Sequence, residues 1–384
     1  MPLLLYFIAL LPMAVGGYLW VTDYKVNLLE WLLGSVIGIF IAGGFHYFAF
    51  YQMVSDWQTL SGHVTETFYS PRWVERSTVV RQRGNHYVTE TEHQTHPEYW
   101  EACLELGSAL PSRLIEPANS KTDKKAPTFS HIASVRIAKT EYQQIAKEFG
   151  KIEKRRGTKS NYYSGDPYIY IAVNKKNVCI PVTQQKLFYN RIKAAPSLFS
   201  YRQISDTISV FPYPENKNLL ASDRLLGTAG EMLNIRLWDE MNSRLGPNSK
   251  VNVILVGFGN QPSSIAHDQE AKWIGGKKND LVLCYGGINP HHAAWSYVFG
   301  WTEENIVKRN LETLLLTQPI DKNMIPLIEA EIVQNYQIKK WSKFDYITIT
   351  LPWWTYLSLF LTMVVYTTAY GFWIHRNRFY KAAR

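Results

Sequence analysis

Three long apolar segments frame this chain, two near its N-terminus and one near its C-terminus. Residues 2–20 and 349–374 carry no charged side chain, and residues 32–50 contain a single histidine, His46, with no Lys, Arg, Asp or Glu. A helix needs about 18–20 mainly apolar residues to cross a bilayer. The sequence therefore predicts an integral membrane protein with three transmembrane helices. The first segment is interpreted as a retained helix rather than a signal peptide, because no basic stretch precedes it.

The second apolar segment carries a stripe of small residues at four-residue spacing. The stripe consists of Gly34, Gly38 and Ala42. Small residues on one side of a membrane helix let another helix approach closely. The helix that packs there is either another span of the same chain or a span of a second copy, which would make the protein a homo-oligomer.

The orientation is predicted from the C-terminal tail. Residues 375–384 contain four basic side chains and no acid. Short basic tails stay in the cytoplasm. With three spans, the large polar region then lies in the periplasm and the protein sits in the inner membrane. Three lysines just before the last span, Lys339, Lys340 and Lys343, argue for the opposite orientation.

Charge and cysteine content restrict the partners. The formal net charge is +9, and four of these charges lie in the tail. The net positive charge outside the tail is modest. It favours contact with anionic lipid headgroups over binding of nucleic acid, which usually needs a clustered basic patch. The densest basic run, residues 151–156, is interpreted as the end of a solvated helix. Cys103, Cys179 and Cys284 form no CxxC pair, which excludes a zinc knuckle.

The polar region has two parts with different patterns. Residues 61–92 alternate β-branched and polar side chains, which predicts antiparallel strands. Residues 139–150 predict a short helix ended by glycine. Residues 168–173 and 178–182 flank the sequence NKKN, which predicts a hairpin. This first part is thus an antiparallel, β-rich α+β region.

From Thr228 onward helices alternate with apolar strands. Thr228 and Glu231 predict a capping box for a helix that ends at Gly246. Residues 251–258 and 281–285 are continuous apolar runs, as in strands buried on both faces. A third strand follows at 295–301, with Thr302 as the predicted cap of the next helix. This order predicts a compact α/β layer.

The fold class predicted is therefore α+β, with three transmembrane helices that anchor a large globular region. Its predicted domains are two transmembrane helices (1–53), the β-rich region (54–227), the α/β domain (228–346), and the last span with the basic tail (347–384).

The second part resembles a known family. Residues 251–287 (VNVILVGFGNQPSSIAHDQEAKWIGGKKNDLVLCYGG), followed by FGWTEENIVKRNL, resemble the TPM domain over about residues 228–337. The resemblance implies a membrane-anchored, largely extracytoplasmic α/β domain, and TPM proteins include phosphatases associated with divalent cations. The whole chain also resembles an uncharacterised family of bacteriophage-encoded membrane proteins, through LFYNRIKAAPSLF, GGKKNDLVL and the terminal HRN.

Two groups of side chains are candidates for a metal or ligand site. The first is a histidine group next to several glutamates, His86, His93 and His96. A transition metal needs three or four ligands at once, and His93 and His96 are predicted to meet across a bend before Pro97. The second group contains four carboxylates as divalent-cation ligands and two binding histidines. Its members are Asp268, Asp280, Glu303, Glu304, His291 and His292. The loop at 286–292 and Thr302 are predicted to border one edge of the sheet.

Nothing in the motifs indicates a nucleotide enzyme, since no P-loop, GxSxG or HExxH occurs. The leading hypothesis is a non-catalytic envelope protein, phage-encoded if that resemblance holds, which engages another membrane or envelope protein, or assembles with itself, at the host inner membrane without a cofactor. The alternative is a metal-dependent phosphatase whose carboxylates converge in one cleft. A third hypothesis places the domain in the cytoplasm with nucleic acid or a cytosolic protein as partner.

Overall fold

A computed structural model describes residues 28–83, 86–106, 132–156, 162–195, 209–214 and 222–382, with seven further single positions, Leu10, Ala14, Val15, Tyr18, Leu198, Leu219 and Leu220. The helices are α1 (Leu28–Val54), α2 (Lys139–Phe149), α3 (Arg191–Ala194), α4 (Ala229–Met232), α5 (Ile235–Ser249), α6 (Ser264–Trp273), α7 (Ile306–Thr317), α8 (Met324–Asn335) and α9 (Trp353–Ala382). The strands are β1 (Ser55–Ser70), β2 (Trp73–Arg83), β3 (His86–His96), β4 (Tyr99–Leu106), β5 (Ile132–Ile137), β6 (Gly150–Arg156), β7 (Tyr162–Gly165), β8 (Tyr168–Asn174), β9 (Pro181–Tyr189), β10 (Leu225–Gly227), β11 (Asn252–Gly257), β12 (Asp280–Gly286) and β13 (Trp295–Gly300).

The chain divides into two compact units. The first, here the helical unit, comprises Met1–Asp56, Phe188–Tyr201 and Ser342–Arg384. The second, here the α+β unit, comprises Trp57–Leu187 and Arg202–Trp341. The predicted fold class is confirmed at this level: the protein is mixed α+β and contains antiparallel sheets.

One helix in the described part of the chain meets the length and hydropathy of a membrane span, Leu32–Val54 within α1, with a mean hydropathy of 1.7. Helix α9 is 30 residues long and is not among the candidate spans found in the described residues. It begins at Trp353 rather than Ile349. Most of residues 2–20 lie outside the described residues. The structure thus gives one candidate span where the sequence predicted three.

The predicted stripe of small residues packs against α9 of the same chain. Tyr366 donates a hydrogen bond through its hydroxyl to the carbonyl oxygen of Gly34 at 2.8 Å. A Cβ atom at Gly34 would overlap the ring of Tyr370. Further along, Gly38 and Ala42 are buried. Absence of a side chain at Gly34 is therefore what allows the two helices to approach.

The α+β unit contains a six-stranded sheet around the long strand β1. Its order is β5-β4-β1-β8-β6, and β9 also pairs with β1. Helix α2 covers this sheet with Tyr142, Ile145 and Phe149, which pack with Leu104 and neighbouring core residues. The helix ends as predicted at Gly150, which adopts a φ of 82° that favours glycine.

Two predictions for this region were wrong. Strands β8 and β9 form no hairpin with each other, because β8 pairs with β1 and β6. Residues 151–156 form strand β6 and not the end of a helix, since β6 pairs with β8 along its whole length. Its charged side chains are tolerated because β6 is an edge strand with mostly exposed residues.

A four-stranded sheet, β10-β11-β12-β13, builds the second part of the α+β unit. The first three strands are parallel, and β13 runs antiparallel to β12. The side chains of β11 alternate between two cores: Val253 and Leu255 pack with α5, α7 and α8, whereas Ile254 and Val256 pack with α6. Both faces are therefore covered, which explains the continuous apolar runs of β11 and β12.

The helix boundaries here differ from the prediction. The chain breaks between α4 and α5, where the Asn234 side chain caps α5 by accepting from the backbone N–H of Arg236. Helix α5 then continues through Pro247 to Ser249. Helix α7 begins at Ile306, so Thr302 is not its cap.

Candidate functional site

The four carboxylates predicted to bind a divalent cation lie on separate elements. Asp268 is buried in α6, Asp280 is the first residue of β12 and fully buried, and Glu303 and Glu304 follow β13. In the part of the chain that the structure describes, no three His, Cys, Asp or Glu side chains lie close enough together to hold a metal ion. The set is not assembled into one centre.

The two predicted binding histidines lie at the other end of strand β12 from Asp280. His291 and His292 are exposed in the loop after this strand. Strand β12 has seven residues, so its two ends lie about 20 Å apart. Because β13 is antiparallel, Thr302 returns to the end where Asp280 lies. The expectation that the 286–292 loop and Thr302 border one edge was wrong for this reason.

The three histidines of the first group lie along strand β3. His86 and His96 are its first and last residues, about 34 Å apart at the usual rise of a strand. The strand continues to His96 without the predicted bend, so His93 points to the opposite face from both. His96 instead lies 3.0 Å from the Glu75 carboxylate and stacks on Trp73 with ring centroids 4.1 Å apart.

Asp280 belongs to a buried polar network that ties several elements together. Its Oδ1 accepts a hydrogen bond from the Asn252 side chain at 2.8 Å, and its Oδ2 accepts from the Tyr213 hydroxyl at 2.8 Å and from the backbone N–H of Lys277 at 2.7 Å. Burial raises the pKa of Asp280, and these donors oppose that effect. The hydroxyl of Tyr336 is buried and has no hydrogen-bond partner among the described residues, and burial and the charge of Asp280 raise its pKa.

The network continues from Asn252 to a buried ion pair. Arg224 donates through Nε to Asn252 at 2.7 Å, through Nη1 to Asp239 at 2.6 Å, and through Nη2 to the Ser61 hydroxyl at 2.9 Å. It therefore joins β1, α5 and β11. These three donated hydrogen bonds all end on side chains of the protein, so the network is suited to hold the fold rather than to bind a substrate.

A cleft with a volume of about 240 Å³ opens beside Asp239. Its walls combine apolar and charged residues, Gln144, Glu148, Ile180, Pro181, Leu220, Ser222, Ile235, Arg236 and Asp239. Arg236 is held by Glu148 through two hydrogen bonds, at 3.2 and 2.7 Å, and by Glu240 at 3.1 Å. The charges of Arg236 and Glu148 are thus paired with each other, and that of Asp239 is paired with Arg224.

An extended exposed feature of the α+β unit is the β arm, defined as β2 (Trp73–Arg83) with β3 (His86–His96). The two strands pair antiparallel from Trp73 opposite His96 to Arg83 opposite His86, without a bulge. Eleven residues per strand give the arm a length of about 35 Å. At its base, Trp73 and the next two residues of β2 also pair with β7.

Beyond this base the β arm exposes both edges. Among the described strands β3 pairs only with β2, and β2 pairs beyond Glu75 only with β3. Exposed apolar side chains lie near its tip: Tyr87 is 74% exposed and Val80 60% exposed. Natural edge strands are usually protected by charged side chains, above all lysine, by proline or by a bulge. Strand β3 has no lysine, proline or bulge, and its two glutamates pair with arginines of β2.

The two faces of the β arm differ in charge. In an antiparallel pair, residues directly opposite each other share a face. One face is lined by ion pairs, in which Arg81 contacts Glu92 and Glu90, and Arg83 lies 3.1 Å from Glu90. The opposite face, here the threonine face, carries one formal charge, that of Arg76, and its members are Val74, Arg76, Thr78, Val80, Gln82, Tyr87, Thr89, Thr91, His93 and Thr95.

Sequence reasoning found the strands of the β arm but missed its open edges, and it missed the buried network apart from Asp280. Two signals were present in the sequence. Asn252 interrupts an otherwise apolar strand run, and Arg224 stands next to two leucines before a glycine. A polar side chain inside a buried segment needs a partner, which is what the network supplies.

Searches with protein-family models, among curated proteins and among solved structures find no match to this chain.

Proposed function

We propose that this protein is a membrane-anchored, non-catalytic interaction protein that binds a protein partner through the β arm. The observation that carries the proposal is the arm itself, an exposed ribbon whose edge strand β3 has no lysine, proline or bulge. A two-stranded ribbon alone is only marginally stable in water. An extended partner strand that pairs with β3 would supply the missing backbone hydrogen bonds, which is the common mechanism of β-strand addition.

The charge distribution supports a protein partner over nucleic acid. The arginines at the tip of the β arm are partly neutralised by Glu90 and Glu92. The threonine face is almost uncharged, although nucleic-acid binding requires a cationic surface. β-branched side chains suit a face that becomes covered by another sheet or strand.

The anchoring is supported by α1, whose residues 32–54 have the length and hydropathy of a span, and by its close packing on α9. We place the protein in the inner membrane with α9 as a second span, residues 2–20 as a third, the basic tail in the cytoplasm and the α+β unit in the periplasm. Attachment of a maleimide that cannot cross membranes to Lys322→Cys tests this topology. Labelling that requires lysis of the inner membrane would reverse it.

We retain the resemblance to the TPM domain and a phage origin as hypotheses; the resemblance implies an α/β layer, and β11, α6 and β12 form a parallel strand–helix–strand unit. The phosphatase alternative required that Asp268, Asp280, Glu303 and Glu304 converge. With no group of three metal-binding side chains among the described residues, the structure offers that alternative no support.

Photocrosslinking tests the proposed function in the full chain in its membrane. A benzophenone amino acid replaces Tyr87, an aromatic residue that is 74% exposed on the β arm. We expect discrete protein adducts of higher mass than the 44.4 kDa chain. The same amino acid at Lys322, an exposed position of the α+β unit outside the arm, is the matched control. Equal adducts at both positions, or adducts with lipid alone at Tyr87, would contradict the proposal.

A further inference from the structure

We propose that the partner of the β arm is a second copy of this chain, and that the two copies pair antiparallel through β3 about a twofold axis at Thr89. This inference rests on the proposed function, because it names the partner that the β arm binds. It follows from the order of side chains along β3, since a twofold interface places the same segment against itself.

Charge restricts the registers in which β3 can pair with itself. Residues directly opposite each other must lie on the same face. The twofold axis therefore lies midway between the two copies of one β3 residue, and that residue is used here to name the axis. An axis at Glu90 or at Glu92 places that glutamate against its own copy, and an axis at Thr91 places Glu90 opposite Glu92 twice. Like charges directly opposite each other destabilise a strand pair.

An axis at Thr89 avoids these contacts over seven residues, 86–92. It places His86 opposite Glu92, Tyr87 opposite Thr91, Val88 opposite Glu90, and Thr89 opposite Thr89. The first pair combines a histidine with a carboxylate, and the others contain no two like charges. This register therefore brings no like charges together along the overlap and adds a histidine–glutamate pair at each end.

The position of the overlap on the β arm also favours this axis. Residues 86–92 form the half of β3 near the tip, where both edges are open. An axis at His93 would also keep the glutamates apart, but it would direct residues 86–89 of the partner past His96 toward Pro97 and β4, at the base of the arm. It would also use His96, which already contacts Glu75 and Trp73.

The dimer makes a four-stranded sheet from two marginal ribbons. Its order is β2-β3-β3-β2, and the threonine faces of both copies become continuous. A stable sheet usually needs three or more strands, and each β arm alone has two beyond its base. Membrane anchoring would hold both copies in one plane and raise their effective concentration.

Disulfide crosslinking of the full chain in its membrane tests the axis. Thr89→Cys places two cysteines directly opposite each other, at a Cα separation of about 4.5–5.5 Å that a disulfide can bridge. The native cysteines remain: Cys284 is buried, burial raises the pKa of Cys103 to about 11, and Cys179 is half-buried with its Sγ 3.1 Å from the Ser243 hydroxyl. The unaltered chain therefore gives the background of crosslinked dimer.

Two matched variants lie on the same face of the β arm. Thr91→Cys places its two cysteines four residues apart along the strands, about 13 Å, and Thr78→Cys places them on the two outer strands. We expect at least tenfold more dimer from Thr89→Cys than from either control. Tyr87→Cys and Thr91→Cys chains should crosslink with each other when they are produced together, and neither should crosslink alone.

Three results would overturn the inference: dimer from Thr89→Cys at the background level, equal dimer from all three positions, or dimer from Thr91→Cys alone. Failure here is separable from failure of the proposed function. If none of the cysteine variants gives dimer above background but photocrosslinking at Tyr87 still gives protein adducts, the β arm binds a different protein. If the Tyr87 adducts are absent as well, the arm is not a binding surface.

Discussion

Arg224 donates a hydrogen bond to Asp239 at 2.6 Å, and both side chains are almost fully buried, with exposures of 3% and 9%. Removal of one partner from such a pair leaves an uncompensated charge inside the protein. We predict that Arg224→Ala lowers the free energy of unfolding by about 3–5 kcal/mol. Urea denaturation of the full chain in detergent, followed by circular dichroism, measures this.

The control for Arg224 is Arg236, which pairs with Glu148 at 2.7 Å but is 46% exposed. Water screens an exposed pair, so Arg236→Ala should cost no more than about 1 kcal/mol. Equal losses for the two variants would show that burial does not set the strength of these interactions.

The second prediction concerns pH. Burial raises the pKa of Asp280 above its ordinary value of 3.8. Between 3.8 and the raised pKa, the folded state binds more protons at this carboxyl than the unfolded state does. The contribution of Asp280 to the free energy of unfolding should therefore fall as pH rises through this window and be lowest above the folded pKa.

Asp280→Asn removes this titration and tests whether the contribution of Asp280 to the free energy of unfolding falls as pH rises. The variant loses stability overall, because an amide cannot accept from all three donors that the carboxylate serves. Its deficit relative to the unaltered chain should be largest near pH 4 and should shrink as pH rises toward neutral. Urea denaturation at several pH values measures both chains, and a deficit that is constant with pH would refute the assignment.

The third prediction concerns helix packing in the helical unit. A Cβ atom at Gly34 would overlap the Tyr370 ring, whereas a Cβ at Gly43 on the same helix would meet no atom within 4 Å. Gly34→Val should therefore destabilise the packing of α1 on α9 by about 1–3 kcal/mol. Gly43→Val changes helix propensity in the same way without the overlap. Thermal denaturation in detergent should separate the two variants; the same melting temperature for both would contradict the packing.

The fourth prediction concerns the β arm. Residues 76–93 can be replaced by Asn-Gly, because Glu75 and Gln94 lie directly opposite each other and a two-residue turn can join them. Most of the removed residues are exposed, so the urea midpoint of the α+β unit should change little. Crosslinking through the β arm, in contrast, is abolished. A large loss of stability would mean that the arm supports the core and is not an appendage.

Much of the second part of the α+β unit was predictable from sequence. The apolar runs that became β11 and β12, and the helix after Pro262, follow from patterns of side chains within one element. Burial on both faces leaves few alternatives for a run such as residues 253–256. Local sequence therefore carried enough information for this region.

The mistakes arose where distant pairing decides the structure. Residues 174–177 have the composition of a hairpin turn, yet β8 on one side of them pairs with β1, about 100 residues away in the chain. Residues 151–156 have the composition of a charged helix end, but they pair with β8 and form an edge strand. The open edges of the β arm were invisible for the same reason, because an edge is defined by which strands pair and not by its own side chains.

Strand β1 has a consequence for the order in which the protein can form during synthesis. The ribosome completes β1 at Ser70 and reaches β8 only roughly 100 residues later. At about 5–20 residues per second, the first half of the central sheet waits on the order of 5–20 s for that neighbour. Among the described strands made before β8, β4 pairs with β1 and β5 pairs with β4, so one edge of β1 can be covered earlier. Factors that protect nascent chains should therefore act on this segment first, and slowed translation between β1 and β8 should prolong its exposure to proteases.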